Sequence, residues 1–451
     1  MNPTLALIIC AATIIWIIWR DIRNHLSISN VIWIPLIWMF ILASRSISSW
    51  ANITAELPEL SGIIDGNPID RNILILFIII GIVILIKLNV NWIEIIKNNK
   101  MIFVFLLYCF ISFIWSDYPF VSVKRLIRTF GLIVMVLILK CQESPVDYVA
   151  AILRRIAVVL PLGSLLLIKY FPEYGRYYSR WSYETIYSGI SDNKNGLGAA
   201  CLISATILLW EICKRWKEKK KLLKSLEFYI YSVLIVINIY LLKLADSSTA
   251  TLCLILSLII LVTTNINYFK QNIKSITKWL AIVLAIFSIM ELFFDITTEI
   301  ILALGRNVTL TDRTLIWNLT TSLVSNPFVG EGYGSFWLGE RVEYIWEEGY
   351  RILQAHSGYV ETYLNLGLIG VGLFLGIIIV TFTRCIKICQ SNFYYGQLLL
   401  TLFIIFIFYN ITEGAFPKAD FMTYILFIVT IEPHYTEMYH NVTHGRPQYG
   451  D

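Results

Sequence analysis

The sequence predicts an all-α polytopic membrane protein, a bundle of about 12–13 transmembrane helices with one large outward loop that carries short helices. Three observations lead there. Of the 451 residues, 57% are hydrophobic and only 15% charged, whereas soluble domains carry about 25% charged residues. The mean hydropathy is +0.69. Apolar runs also recur from end to end, and about 13 spans of roughly 20 residues would use up about 260, close to the whole apolar content. A net charge of +5 is too small and too dispersed for a nucleic-acid binder. The eight cysteines form no CxxC and no Cys/His ligand spacing, so neither a disulfide framework nor a metal site is expected. No cofactor is expected either.

Taken in order, the apolar runs fall near 3–19, 31–47, 72–88, 101–116, 126–140, 147–168, 195–213, 227–243, 248–265, 278–298, 358–383, 395–411 and 420–432. The first lacks a preceding basic stretch and a following small-residue cleavage site, which makes it a span and not a removed signal peptide. Alternate connections hold Arg20 and Arg23, Lys87, Lys97 and Lys100, Lys140, the basic run 214–221, Lys270, Lys274 and Lys278, and Arg384 with Lys387. The positive-inside rule makes these cytoplasmic. The other connections include the long loops 45–71, 169–194 and 299–357, whose acids, aromatics, Gly and Pro suit an irregular outward surface. The expected organisation is one integral membrane domain, 1–451. Within it, 299–357 is a large outward loop between spans ten and eleven, and 433–451 is a short polar tail.

Lysine dominates the inward connections, yet Arg125, Arg128, Arg176, Arg180, Arg306, Arg313, Arg341 and Arg351 fall on the outward side. A guanidinium forks two parallel hydrogen bonds onto a phosphate, so such a cluster suits an anionic substrate such as a lipid-linked pyrophosphate. Pairing with acids of the same loops is the competing account. Arg154 and Arg155 lie inside the sixth span near its cytoplasmic side, where snorkelling is expected of at least one.

The loop 299–357 carries most of the chemical signal. Thr311 or Asp312 is expected to cap a short interfacial helix, with Arg313 in its first turn and Leu315, Ile316, Leu319 and Leu323 on one face. Three glycines, Gly330, Gly332 and Gly334, let the backbone approach either a ligand or the bundle closely. Of the five histidines, His356 alone meets the outward membrane boundary. Imidazole titrates near operating pH, so His356 is a candidate general base; the plainer account is an interfacial histidine bonded to a carbonyl.

Four blocks in order carry a resemblance: Ser191-Asp192-Asn193-Lys194-Asn195-Gly196-Leu197-Gly198, Thr311-Asp312-Arg313-Thr314-Leu315-Ile316-Trp317, Asn326-Pro327-Phe328-Val329-Gly330-Glu331-Gly332-Tyr333-Gly334, and Ala355-His356-Ser357 followed by Leu366-Gly367-Leu368-Ile369-Gly370. Together they resemble the bacterial O-antigen ligase and polymerase superfamily over about residues 110–375. Gly305-Arg306 running into Thr309-Leu310-Thr311-Asp312-Arg313 is most similar to exopolysaccharide polymerases of the succinoglycan type. The resemblance implies a multi-pass protein of the bacterial inner membrane, with 299–357 as its large periplasmic catalytic loop. Its implied reaction is a metal-independent, inverting transfer of a glycan from undecaprenyl pyrophosphate to a sugar hydroxyl at the outer face. By the same likeness His356 assists the acceptor hydroxyl and Arg313 holds the leaving pyrophosphate. Arg125, Arg128, Lys194, Arg306 and Tyr333 are further candidates for binding pyrophosphate or glycan. The implied partners are lipid-linked glycan donor and acceptor, a flippase and a chain-length regulator. Two departures stand out. Asn193 occupies the position before the family's Lys-Asn pair where a histidine often stands. Ser248 occupies the place of the arginine in the Arg-x-x-x-Leu element of lipid A-core ligases, which favours a polymerase over a ligase. A transporter or flippase is the rival from another class, though neither an inverted repeat nor a matched pair of Gly/Pro-broken spans is visible.

Overall fold

A computed structural model describes residues 1–51, 67–178, 184–217, 225–273 and 313–432. Seven of its helices are long and apolar enough to cross a membrane: Pro3–Asn24, Pro68–Lys87, Pro145–Tyr170, the helix beginning at Lys194, Leu226–Ala245, Gly358–Ser391 and Phe393–Thr412. The all-α polytopic class therefore holds. The pair Trp92–Asn98 and Lys100–Ile114, bent by 96°, has the length and apolarity of an eighth if its two halves form one span. Pro119–Lys140 has the length of a span but also carries Lys124, Arg125, Arg128 and Lys140. The run 278–298 lies outside the described residues.

Local sequence sets the helix starts. Pro3, Pro68, Pro119 and Pro145 occupy first turns, where no intrahelical N–H is lost. Asn2, Asn67, Ser225 and Ser247 cap their helices by accepting backbone N–H bonds. Exposed isoleucines, leucines and valines such as Ile75, Leu76, Ile79 and Val236 give the bundle an apolar exterior fit for lipid. The helix Lys194–Lys217 is the hub, packed on Pro145–Tyr170, Leu226–Ala245 and Ser248–Thr264. Gly358–Ser391 packs in turn on Phe393–Thr412 and Lys100–Ile111.

Two expected spans are shorter than the sequence suggests. Trp33–Ala43 has 11 residues and Phe421–Thr430 has 10, so the latter rises about 15 Å, half the hydrocarbon thickness. Every residue of Phe421–Thr430 is buried. An apolar run of this length enclosed by other helices has no need to reach both interfaces. One departure from all-helical structure occurs in the loop 169–194, where Arg176–Tyr178 pairs antiparallel with Thr185–Tyr187, Arg176 opposite Tyr187.

The connections sort to two ends. Backbone and side-chain bonds join 45–48 to 70 and to 188–191, and 313–331 to 364–369 and 413. The opposite end gathers Arg20 with Glu227, Arg384 with Asn98 and Asn99, and Lys140 with Glu432. Arg154 and Arg155 correct the snorkelling expectation: both are buried. Arg154 pairs with Asp21 at 2.9 Å and Glu211 at 3.0 Å, and Arg155 with Asp21 at 2.8 Å. Partner carboxylates replace water, which spares the charges a climb to the interface. Single cysteines placed at Asn24 and Glu340 in a cysteine-free background should therefore label from opposite sides of the membrane; labelling from one side would sink this topology.

Candidate active site

The site is built where the chain interrupts its own helices. Gly358–Ser391 breaks at Gly367, whose φ is +61°. The loop Asn326–Val329 enters the break: Leu368 N–H donates to Pro327 O at 2.9 Å and Ile369 N–H to Phe328 O at 3.1 Å. A Cβ on Gly367 would lie 2.3 Å from the Phe328 backbone, so only glycine fits. The glycine-rich loop that follows packs on the bundle and not on a ligand. Gly332 lies against Ser116 and Gly334 against Arg125.

Just upstream of the break, Glu361 is fully buried and accepts three kinds of donor. Ala355 N–H reaches it at 2.7 Å, the Trp337 indole at 3.0 Å and Lys418 Nζ at 3.2 Å. The Trp317 indole binds Ala355 O at 2.7 Å. Both polar groups of Ala355 are held, and the next residue lies in the left-handed region: His356 has φ +52°. Left-handed backbone at a non-glycine residue costs about 1–3 kcal/mol and persists only where surroundings over-determine it. His356 is thus placed by its neighbours.

Its side chain points to a carboxylate that the sequence reading missed. Glu413 follows the Phe393–Thr412 helix, with 8% of its side chain exposed. Arg313 Nη2 donates to its Oε1 at 3.2 Å, Asn195 Nδ2 donates to its Oε2 at 3.0 Å, and His356 Nδ1 stands 3.9 Å from Oε2. Gln354 Nε2 is 3.3 Å from the same imidazole nitrogen. Arg313 is the first residue of the helix Arg313–Ser322, as expected, whereas its capping residues Thr311 and Asp312, and Arg306, lie outside the described residues. A carboxylate in the connection between two apolar runs was the available signal for Glu413.

The remaining candidates divide. Arg128 is exposed, makes no ion pair among the described residues, and lies within electrostatic range of Asp70, Asp192 and Asp420. Arg125, one turn earlier, instead donates to the Gly334 carbonyl. That bond holds the glycine-rich loop to the bundle. Tyr333 is buried, its hydroxyl donates to Pro417 O and shares a 2.7 Å bond with Thr129 Oγ1, and its N–H donates to Ser112 Oγ. Both sides of that hydroxyl are taken, and burial pushes the phenol well above its ordinary range. Lys194 is partly exposed and 3.9 Å from Asp246. Among the other outward arginines, Arg341 pairs with Asp117 and Glu331 and Arg176 donates to Ile168 O. For Arg341, with Glu331 in its own loop, the local-pairing account holds.

Beside Glu413 a cavity of about 190 Å³ opens. Its lining includes Asp192, Asn193, Asn195, Gln354, Glu413 and Asp420. Asp420 caps Phe421–Thr430, accepting from Thr423 N–H at 2.8 Å; its depth in the protein pushes its carboxyl up to about 6. Desolvation also raises the Asp192 carboxyl. A raised acid binds its proton in the folded state first, so stability should increase as pH falls from about 6 toward 4, by at most about 1.4 kcal/mol per unit for each such group. Asp420→Asn should flatten that dependence in a pH series of unfolding midpoints; an unchanged series would contradict the assignment.

Residues 230–375 match the family model described as O-antigen ligase. The match spans about a third of the chain, contains Arg313 and His356, and supports the O-antigen ligase and polymerase superfamily. No curated protein matches the chain.

Proposed function

We propose that this protein is a membrane glycosyltransferase that joins undecaprenyl-pyrophosphate-linked oligosaccharide repeat units into a polysaccharide at the outer face of the bacterial inner membrane. The observation that carries the reading is the convergence of Arg313, His356 and Asn195 on Glu413 at one end of the bundle. Displacing pyrophosphate from an anomeric carbon builds negative charge on the leaving oxygens, and fixed guanidinium groups stabilise it. Arg313 is the first such group; Arg128, with no ion pair among the described residues, is the second. The attacking hydroxyl must lose a proton as the glycosidic bond forms, and His356 accepts it. Glu413 keeps Arg313 and the imidazole in place before substrate arrives.

A carrier needs a polar path between the two faces. Between the cavity and the buried charges at the other end, the two central helices present side chains with no exposure, among them Leu202, Ile203, Leu208, Leu400, Phe403 and Phe406. That packing favours a one-sided site. Ser248 at the start of Ser248–Thr264 leaves the position of the ligase arginine uncharged, which favours polymerase over transfer of finished polymer to lipid A-core. Deleting the gene tests the choice: single lipid-linked repeat units should accumulate, whereas accumulation of unattached polymer would make the protein a ligase.

Arg313→Lys keeps the charge and loses the bidentate fork. Transfer should fall at least about tenfold with membrane insertion unchanged; full activity of the lysine variant would reduce Arg313 to a surface residue.

A further inference from the structure

The cavity beside Glu413 has a chemistry of its own. Three carboxylates line it, from Asp192, Glu413 and Asp420, together with the carboxamides of Asn193, Asn195 and Gln354, the hydroxyls of Ser44 and Ser191, and an apolar wall of Leu42, Phe421 and Met422. Among the described lining residues there is no lysine or arginine. The nearby guanidinium groups engage its wall without lining the space. Arg45 donates to Ser191 O and Ser188 Oγ within electrostatic range of Asp192, Arg313 binds Glu413 at 3.2 Å, and Arg128 stands within electrostatic range of Asp192 and Asp420.

A pyrophosphate entering this cavity would meet three carboxylates and no cation among the described lining residues, so the anion belongs with Arg313 and Arg128. Hydroxyl groups are the natural partners of what remains. Carboxylates and amide oxygens accept O–H bonds, amide N–H groups donate to ring and hydroxyl oxygens, and an apolar wall receives the C–H face of a pyranose.

We infer that this cavity is the subsite for an uncharged sugar of the acceptor glycan, and that its carboxylates select against acidic sugars such as hexuronates. The inference rests on the glycosyltransferase reading for the word acceptor, but the sugar site itself stands on the cavity. Its position fits: Gln354 and Glu413 form the wall shared with His356, whose Nδ1 lies 3.3 Å from one and 3.9 Å from the other. A sugar bound there presents its hydroxyls one side chain away from the proposed base.

The test uses the full chain in nanodiscs and two probes, a methyl hexopyranoside and the matching methyl hexuronoside, with binding read by saturation-transfer NMR at neutral pH. The neutral glycoside should bind at least about tenfold more tightly, since excluding one charge by a close like charge is worth that much or more. The double variant Asp192→Asn, Asp420→Asn retains side-chain volume and the Thr423 cap, and should bring the two affinities together. Equal or tighter binding of the hexuronoside to the unaltered protein, an unchanged preference in the double variant, or binding of neither probe would each overturn the sugar-site inference. Transfer from a lipid-pyrophosphate donor, measured on the same preparation with neutral and acidic acceptors, separates the two claims. Transfer without preference defeats the subsite and leaves the enzyme; preferential binding without transfer leaves the subsite and defeats the enzyme.

Discussion

His356→Ala should lower turnover about 10²–10⁴-fold, the usual worth of a positioned general base, while binding of the lipid-linked donor persists. The expectation comes from placement. The residue sits in the left-handed region at φ +52°, Glu361 and Trp317 hold the two polar groups of Ala355 just before it, and its imidazole is set between Gln354 and Glu413. A histidine that merely ended a loop would have no such bracing. Alanine keeps the backbone bonds that its neighbours make, so purified variant should retain its fold and its donor affinity. Turnover within a few-fold of the unaltered protein would move the proton acceptor elsewhere, with Asp192 as the next candidate in the same cavity.

Glu361→Ala should have the largest effect on stability. Its carboxylate is wholly buried and takes the N–H of Ala355, the indole of Trp337 and the ammonium of Lys418. Removing it strands at least two buried donors at about 1–3 kcal/mol each, so a loss of about 2–6 kcal/mol is expected. Glu361→Gln keeps an acceptor oxygen and the side-chain volume and should cost clearly less. Glu361→Ala also frees Ala355 beside His356, so its activity should fall with its stability. Unfolding in detergent, followed by tryptophan fluorescence, measures the difference; a Glu361→Ala loss below about 1 kcal/mol would mean that the indole and amide find other partners.

The bundle was legible because hydropathy in a membrane is a one-dimensional signal: lipid demands long apolar runs and closed backbone hydrogen bonding. The same rule misjudges runs that protein encloses, which is why Phe421–Thr430 reads as a span and is a fully buried short helix. His356 and Arg313 were visible as outward polar residues in a rare context. Glu413 was not, since a single carboxylate after an apolar run looks like any helix end until Arg313 and Asn195 are brought to it from residues 100 and 218 positions away. Tyr333 and Arg125 went the other way. A tyrosine among glycines and an outward arginine one turn from Arg128 suggest a ligand, whereas the close backbone approach of those glycines buries the Tyr333 side chain and sets Arg125 against the Gly334 carbonyl.

Transfer by the purified protein is the most direct measurement of the central claim. Supplied with lipid-pyrophosphate-linked repeat units and no other enzyme, the protein in nanodiscs should produce a ladder of longer lipid-linked glycans, release lipid pyrophosphate in step, and invert the anomeric centre at each new linkage. The Arg313→Lys and His356→Ala variants should shorten or abolish the ladder while still capturing donor. Donor that stays at single units under these conditions, or that merely crosses the membrane unchanged, would contradict the account.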